Sequence, residues 1–117
     1  MAILNLTRNT ILSTKVTIAQ TTSQRMQGLL GRKSMGLDEA LVIFHCQAIH
    51  MFFMNFSIDV IFVGKENRVV GLVENIQPFH LSPIFWRADK AIEVAPGTIK
   101  SSLTSLFDLL VIEGQAN

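Results

Sequence analysis

The sequence predicts a mainly β domain of the α+β class, a compact antiparallel β-sandwich or small barrel of about seven strands with two short helices. Three observations predict it. Short runs rich in β-branched and aromatic residues recur along the chain, separated by polar turns. Only two segments, at about 22–30 and 98–106, have apolar residues at helical spacing. Apolar residues form 49% of the 117 residues and charged residues 16%, so we expect a single domain over residues 1–117 with a sizeable core.

The predicted strands are short runs in which Val, Ile, Phe and Thr are common. The runs in the middle of the chain are apolar on both faces, which indicates a sheet that is covered on both sides. A tight hairpin centred on Phe56 would join two of them. The segments are residues 2–7, 12–19, 41–44, 49–54, 58–63, 69–73, 91–94 and 109–112.

The first predicted helix, over residues 22–30, has signals at both ends. Thr21 and Gln24 have the spacing of a capping box, in which side chains satisfy free amides at the helix start. Gly31 can take the left-handed conformation that ends a helix. Gly28, inside the helix, costs about 1 kcal/mol relative to alanine, which indicates close packing of its backbone against another element.

The second predicted helix, over residues 98–106, follows Pro96 and Gly97. Thr98 can cap it, and apolar residues follow at positions 99, 103 and 106, the spacing of one helical face. The two helices therefore flank a chain that is otherwise built of strands.

A long connection, residues 76–90, separates two of the predicted strands. It contains two prolines and three aromatic residues, Phe79, Phe85 and Trp86. A loop of this length inside a compact domain is often functional. It is either a packed cover over an open core, with the aromatic residues as anchors, or a lid over a ligand.

Charge and composition argue against several classes of partner. The net charge is +1 and the ten basic residues are scattered, so no cluster predicts binding to nucleic acid or to an anionic membrane. The apolar stretch 40–64 is interrupted by polar residues, which favours core strands over a membrane span. The single cysteine, Cys46, allows no intrachain disulfide, and the N-terminus lacks the pattern of a signal peptide. We expect a cytoplasmic monomer, although an exported protein without disulfides would have the same composition.

One carboxylate, Asp59, lies in the almost wholly apolar stretch 49–63. A buried ionised carboxylate must be paired or hydrogen-bonded, or it takes up a proton. Three kinds of partner are open to it: a bidentate pair with Arg32, a contact with His50, or main-chain amides. A structural Asp59, held by Arg32 or by amides, is favoured over a catalytic one.

A second acidic residue, Glu93, lies between two apolar residues of a predicted strand. Its alternate position along the strand favours exposure to solvent. If Glu93 instead faces inward beside Asp59, the two carboxylates could share acid–base chemistry.

Soft and imidazole side chains lie close together in the sequence, a mixture that suits copper(I): His45, Cys46, His50, Met51 and Met54. No standard zinc or copper spacing is present, and strand alternation would separate His50 and Met54 from Met51. Methionine more often fills gaps in a core. We therefore predict no metal site and no cofactor.

Several segments occur in an order and spacing that belong to a known family: "GLLGR" (28–32), "CQAIHMFFMNFSIDVIFV" (46–63), "RVV" (68–70) and "AIEVAPGTI" (91–99). Over about residues 14–113 the chain resembles the uncharacterised bacterial and archaeal family called domain of unknown function 192. The resemblance implies a compact β-rich domain and brings no agreed activity. Ser57 and Phe107 depart from the usual pattern, which has proline and glycine at those places. The family signature coincides with Gly28, Gly31, Arg32, His50, Met54, Asp59, Glu93 and Gly97.

Three functions follow from these residues. The first is a binding or accessory module with a small polar or anionic ligand near Arg32, His50 and Asp59, covered by the loop 78–88. The second is a small hydrolase or lyase that uses His50 with Asp59 or Glu93 as acid and base. The third is a structural or partner-binding domain without a ligand site. Five further residues are structural or secondary candidates: Gly28, Gly31, Met54, Glu93 and Gly97.

Overall fold

The computed structural model describes residues 1–114 as two packed β-sheets with two short helices, which confirms the predicted mainly β class. The elements are β1 (Ala2–Asn5), β2 (Thr10–Ser13), β3 (Lys15–Ala19), α1 (Thr22–Leu29), β4 (Glu39–Phe44), β5 (Ile58–Gly64), β6 (Val69–Ile76), β7 (Ala88–Val94), α2 (Thr98–Ser101) and β8 (Leu110–Glu113). A 3₁₀ turn at Lys65–Asn67 joins β5 to β6. No helix among residues 1–114 is long and apolar enough to cross a membrane.

The smaller sheet has the strand order β2-β1-β8 and is antiparallel. The larger sheet has the order β3-β4-β7-β5-β6 and is antiparallel except for the parallel pair β3–β4. Parallel strands need a crossover connection, and α1 with the segment that follows it supplies one. The predicted run 12–19 is two strands, because the chain passes between the sheets at Thr14, whose amide donates to the Asp38 carbonyl at 3.1 Å.

The larger sheet is buried on both faces, as its apolar strands predict. One face, here called the sandwich face, packs against the smaller sheet and α2. Its core includes Ile3, Leu12, Ile61, Val63, Ile92, Val94, Ile99 and Leu110. The opposite face, here called the loop face, is covered by α1 and by two loops, here called the first loop (residues 45–57) and the second loop (residues 77–87). Its core includes Leu29, Met51, Met54, Phe56, Val60, Phe62 and Ala91.

The prediction of a strand over residues 49–54 is wrong. This segment makes one isolated bridge, between His50 and Leu81, and the Met54 amide donates to the Met51 carbonyl at 3.3 Å in a turn. Met51 and Met54 are buried in the loop-face core. The segment is apolar because it fills this core, and the predicted hairpin centred on Phe56 is not among the strand pairings of residues 1–114.

α2 begins where the sequence predicts but ends at Ser101, well before residue 106. Leu103 has a left-handed φ of 61°, and the Thr104 amide donates to the Ile99 carbonyl at 3.1 Å, a pattern that ends a helix. The chain then turns towards β1, where the Asn5 side-chain amide donates to Thr104 Oγ1 at 3.1 Å. A longer helix would leave the buried Asn5 without this partner.

The same turn carries Asp108, a buried carboxylate that joins β1 to the segment before β8. Its Oδ2 accepts hydrogen bonds from Asn5 Nδ2 at 3.0 Å, Arg8 Nε at 3.1 Å and the Ser105 amide at 2.9 Å. Burial raises the pKa of Asp108, but these hydrogen bonds and the charge of Arg8 outweigh burial and hold the pKa below its ordinary value.

Candidate functional site

Asp59 lies in β5 on the sandwich face and is fully buried. Its Oδ1 accepts a hydrogen bond from the Asn75 amide at 2.8 Å, and its Oδ2 accepts from the amides of Gly97 and Ile99 at 3.1 and 3.0 Å. Of the three partners that the sequence left open, main-chain amides are therefore the ones that bind it. Asp59 fastens the start of α2 to the sheet, where Gly97 has a φ of 91° that favours glycine.

Glu93 lies in β7 and is fully buried on the loop face, between its sheet neighbours Leu41 and Val60. The expected exposure of Glu93 is wrong because both faces of the sheet are covered. Its Oε2 accepts a hydrogen bond from Arg25 Nε at 2.5 Å, whereas Oε1 has no hydrogen-bond partner among the described residues. Burial raises the pKa of Glu93, and the guanidinium of Arg25 opposes that rise.

Arg25 extends from α1 into the loop-face core and is 2% exposed. Besides Glu93, it donates from Nη1 to the His50 carbonyl at 2.9 Å, and its Nη2 lies 3.7 Å from Met51 Sδ. Arg25 thus ties α1 to β7 and to the first loop through one guanidinium.

The larger sheet lies between the two buried carboxylates. Asp59 faces α2 and the smaller sheet, while Glu93 faces α1 and the loops. An acid–base pair of Asp59 and Glu93 is therefore not assembled by this fold.

Arg32 follows α1 and pairs with Glu39, at the start of β4, through an Nη2–Oε1 contact of 2.7 Å. This hydrogen bond raises the pKa of Arg32 and lowers the pKa of Glu39, to which the Gly36 amide also donates at 2.9 Å. Both side chains are partly exposed and line a small cavity of about 120 Å³. Asp59 does not position Arg32, because the Asp59 oxygens are bound by amides on the sandwich face.

Of the predictions made for the residues around α1, two are confirmed and one is wrong. Gly31 has a φ of 82°, which confirms the left-handed conformation expected after the helix. A Cβ added to Gly28 would meet nothing within 4 Å, so the expected close packing of its backbone is wrong. Thr21 Oγ1 accepts from the Gln24 amide at 3.1 Å, as the capping spacing predicts, while the Gln24 side chain accepts from the Gln20 amide at 2.6 Å.

The His50 side chain is partly buried, and the His50 backbone carbonyl accepts the hydrogen bond from Arg25. Its ring stacks on Phe52 with centroids 5.1 Å apart, and its Nδ1 accepts from the Phe52 amide at 3.3 Å. Partial burial lowers the pKa of His50, and the charge of Arg25 lowers it further. The structure thus places Arg32, His50 and Asp59 in three separate environments, and ligand binding by Arg32 and His50 stays a prediction.

The soft side chains of the first loop are also separated. Met51 and Met54 are buried in the core, Cys46 is half-buried and His45 is exposed. Burial raises the pKa of the Cys46 thiol, which donates to the Ala48 carbonyl at 3.1 Å. In the part of the chain that the structure describes, no three His, Cys, Asp or Glu side chains are grouped so that they could hold a metal ion.

A cleft of about 410 Å³ opens where the second loop meets β7 and the 3₁₀ turn. Lys65 and Arg87 bring two positive charges to it and Asp89 one negative charge. The indole of Trp86 forms part of the wall and is 74% exposed. The lining residues are Gln47, Lys65, Val70, Trp86, Arg87, Ala88 and Asp89.

The wall of this cleft is fixed by contacts between the two loops. Gln47 Nε2 donates to the Trp86 carbonyl at 2.8 Å, and the Phe85 amide donates to the Gln47 carbonyl at 2.8 Å. The Phe85 ring packs on Phe62, with centroids 4.5 Å apart. It also lies against Gly71, where an added Cβ would come within 2.3 Å of the ring. The cleft is therefore formed by an anchored segment.

The sequence reasoning missed Arg25 and the lining of the cleft. Arg25 precedes the buried Leu29 by one helical turn, and this spacing could have indicated an inward position for its side chain. The cleft residues Gln47, Lys65 and Arg87 come from three separate segments, so no local pattern joins them.

Comparisons with known proteins agree on the fold. The family model DUF192, described as an uncharacterized ACR, matches residues 3–106. A comparison with curated proteins gives no match. A crystal structure of a protein of unknown function from Novosphingobium aromaticivorans is similar with a TM-score of 0.82 and 18% identity, over 96% of this chain and 84% of that one.

A second crystal structure, described as a candidate transcription regulator from Sinorhizobium meliloti, is similar with a TM-score of 0.76 and 22% identity, over 94% of this chain and 89% of that one. At these identities the likeness of both structures shows the fold alone.

Proposed function

We propose a binding function for this chain, which belongs to the uncharacterised DUF192 family. The proposed ligand is a small anion that also carries an aromatic or other planar group. The proposed site is the cleft between Lys65, Trp86 and Arg87. The sequence also predicted a small polar or anionic ligand, but near Arg32, His50 and Asp59, none of which lines this cleft.

The convergence of two cations and an exposed indole on one preformed cleft carries this proposal. The volume of about 410 Å³ is in the range of small-molecule sites, which is roughly 300–1,000 Å³. Lys65 and Arg87 outnumber Asp89 and so leave the lining with a net positive charge. The face of Trp86 can stack on a planar group, and Arg87 can bind a carboxylate or phosphate with two parallel hydrogen bonds.

The enzyme alternative, a hydrolase or lyase that uses His50 with Asp59 or Glu93, receives no support from the geometry. His50 lies on the loop-face side, whereas the carboxylate of Asp59 is on the other side of the sheet and is occupied by three amides. Glu93 is on the loop face, but its hydrogen-bonded oxygen is paired with Arg25 in the core.

Nucleic acid is not the proposed ligand. The net charge is +1, and the cleft brings together only two of the ten basic residues. We propose that the protein acts as a monomer in the reducing cytoplasm, where its one cysteine, half-buried Cys46, would stay a thiol.

Tryptophan fluorescence tests the proposed site, because Trp86 is the only tryptophan and the chain has no tyrosine. The probes are inorganic phosphate, which is an anion without a ring, and benzoate and adenosine monophosphate, which each carry an anion and a ring. We expect adenosine monophosphate or benzoate to change the Trp86 emission with saturation. Arg87→Gln and Lys65→Gln should each raise the dissociation constant about fivefold, which corresponds to about 1 kcal/mol.

Lys100→Gln is the matched control, since Lys100 is an exposed lysine of α2 outside the cleft. This variant should bind the probes as the wild type does. An emission that does not respond to any of the three probes at millimolar concentration would contradict the proposal. So would a response that neither cleft substitution weakens.

A further inference from the structure

We propose that the two loops of the loop face, residues 45–57 and 77–87, form a surface that docks on an anionic lipid bilayer. The surface consists of six large apolar side chains that the fold leaves exposed, here called the apolar rim: Phe52, Phe53, Phe79, Leu81, Ile84 and Trp86. The inference rests on the apolar side chains of the two loops and not on a ligand in the cleft, although Trp86 and Arg87 belong to both surfaces.

Single exposed apolar residues are normal on a protein surface, but the apolar rim has six of them on two neighbouring loops. Its members range from 41% exposed at Phe52 to 74% at Trp86. Phe53 and Phe79 come from different loops and meet edge to face, with ring centroids 6.1 Å apart. Six exposed apolar side chains on two paired loops indicate a surface for contact with another protein or with a membrane.

Main-chain hydrogen bonds hold the two loops together as one surface. The Met51 amide donates to the His80 carbonyl at 2.9 Å, and the Phe79 amide donates to the Met51 carbonyl at 2.7 Å. The Ser82 amide donates to the Ile49 carbonyl at 3.0 Å. The rim is therefore presented by a fixed framework of two paired loops.

Two of the rim residues are held in a backbone conformation that does not favour them. Phe53 has a φ of 64° and Phe79 a φ of 66°, in the left-handed region where glycine or asparagine is preferred. Exposing a phenylalanine at such a position gains nothing for the core and costs backbone strain. Phe107 shares this conformation and exposure outside the two loops, so the conformation does not by itself single out the rim, but it makes asparagine a suitable replacement at Phe53 and Phe79.

The charges of the loops select the partner. Neither loop contains Asp or Glu, whereas together they contain Arg87 and all three histidines of the chain. Lys65 adds a further cation, because it lines the cleft together with the rim residue Trp86. Asp89 comes after the second loop in sequence and is the one acidic residue among the described residues that line the cleft beside Trp86.

Trp and Phe side chains prefer the interface between headgroups and acyl chains, and basic residues are attracted to anionic headgroups. An aromatic rim without acidic residues in its loops is therefore complementary to an anionic bilayer. Although the basic residues are scattered in sequence, the fold brings some of them to the apolar surface.

Flotation with vesicles tests the proposal. The full chain is mixed with vesicles of phosphatidylcholine alone or of phosphatidylcholine and phosphatidylglycerol at 3:1, and the bound fraction is measured. We expect binding to the vesicles that contain phosphatidylglycerol and at least tenfold weaker binding to the others. The double variant Phe53→Asn with Phe79→Asn should lose at least tenfold in affinity for the anionic vesicles.

This double variant should remain folded, because asparagine tolerates the left-handed conformation. The control is Phe107→Asn, which makes the same change at a residue that is 69% exposed and has a φ of 71°, outside both loops. It should bind vesicles as the wild type does. Urea unfolding of all variants verifies that any loss is not a loss of folding.

Three results would overturn the proposal. The wild type does not float with anionic vesicles, or Phe107→Asn loses as much affinity as the double variant. The third result is a self-associated wild type that the double variant converts to a monomer without any change in flotation, since the rim would then be a protein interface.

Discussion

Asp59→Asn removes one negative charge from the sandwich face and keeps the shape of the side chain. Asparagine offers one acceptor oxygen where the carboxylate offers two. The oxygen keeps more bonds if it accepts from the amides of Gly97 and Ile99, and the side-chain NH₂ group then faces the Asn75 amide, which loses its acceptor. The substitution therefore breaks one hydrogen bond, brings two donors together and weakens the other two bonds, because their acceptor is no longer charged.

The magnitude follows from the lost bond and the two weakened ones. A hydrogen bond to a charged group contributes about 1.5–3 kcal/mol and a neutral one about 0.5–1.5 kcal/mol, so one lost bond and two weakened bonds come to about 3 kcal/mol. That is a large part of a typical domain stability of about 5–15 kcal/mol. For a domain of this size the midpoint of thermal unfolding should fall by about 12 °C, at about 4 °C per kcal/mol.

Urea unfolding at pH 7, followed by circular dichroism, measures the free energy of unfolding. The control is Glu74→Gln, which changes an exposed carboxylate of β6 and should shift stability by less than about 0.5 kcal/mol. A variant Asp59→Asn that is as stable as this control would refute the structural role derived from the amide contacts.

Three further predictions concern the core and the smaller sheet. Arg25→Met leaves Glu93 buried without its partner and should cost about 3–5 kcal/mol in urea unfolding, whereas adding Glu93→Leu should recover most of that loss. Gly71→Ala places a Cβ against the Phe85 ring and should lower the free energy of unfolding by about 1–3 kcal/mol. A shift of the Trp86 emission would report the displacement of the loop that carries Phe85 and Trp86. Folding lowers the pKa of Asp108, so the ionised carboxylate stabilises the fold at pH values above its ordinary pKa of 3.8. This contribution is lost as the pH falls through the pKa of the folded state. Asp108→Asn should lack this loss when the free energy of unfolding is measured from pH 5 to pH 2.

The mainly β class and most strand positions can be predicted from local composition, because β-branched runs between polar turns need no distant partner to be recognised. Residues 49–54 have the same composition for another reason: Met51 and Met54 close a core. An apolar loop segment whose side chains fill a core has the same local sequence pattern as a strand, and only its pairing partners in the folded chain distinguish the two.

Asp59 was recognisable as a buried carboxylate, but its partners were not. Asn75 lies 16 residues away in sequence and Ile99 lies 40 residues away, so only the folded chain brings their amides to it. The pair of Arg25 with Glu93 spans 68 residues and was missed for the same reason. Pairing at such separations is decided by the topology of the sheet, which the local pattern does not contain.

The position of β1 at the centre of the smaller sheet has a consequence for biosynthesis. Ala2 pairs with Glu113 and Asn5 with Leu110, so β1 receives its second neighbour from the other end of the described chain. A nascent chain can form the β1–β2 hairpin early, but a two-stranded hairpin alone is only marginally stable in water. The smaller sheet is thus completed after translation of β8, and until that moment one edge of β1 is open to chaperones or to other nascent chains.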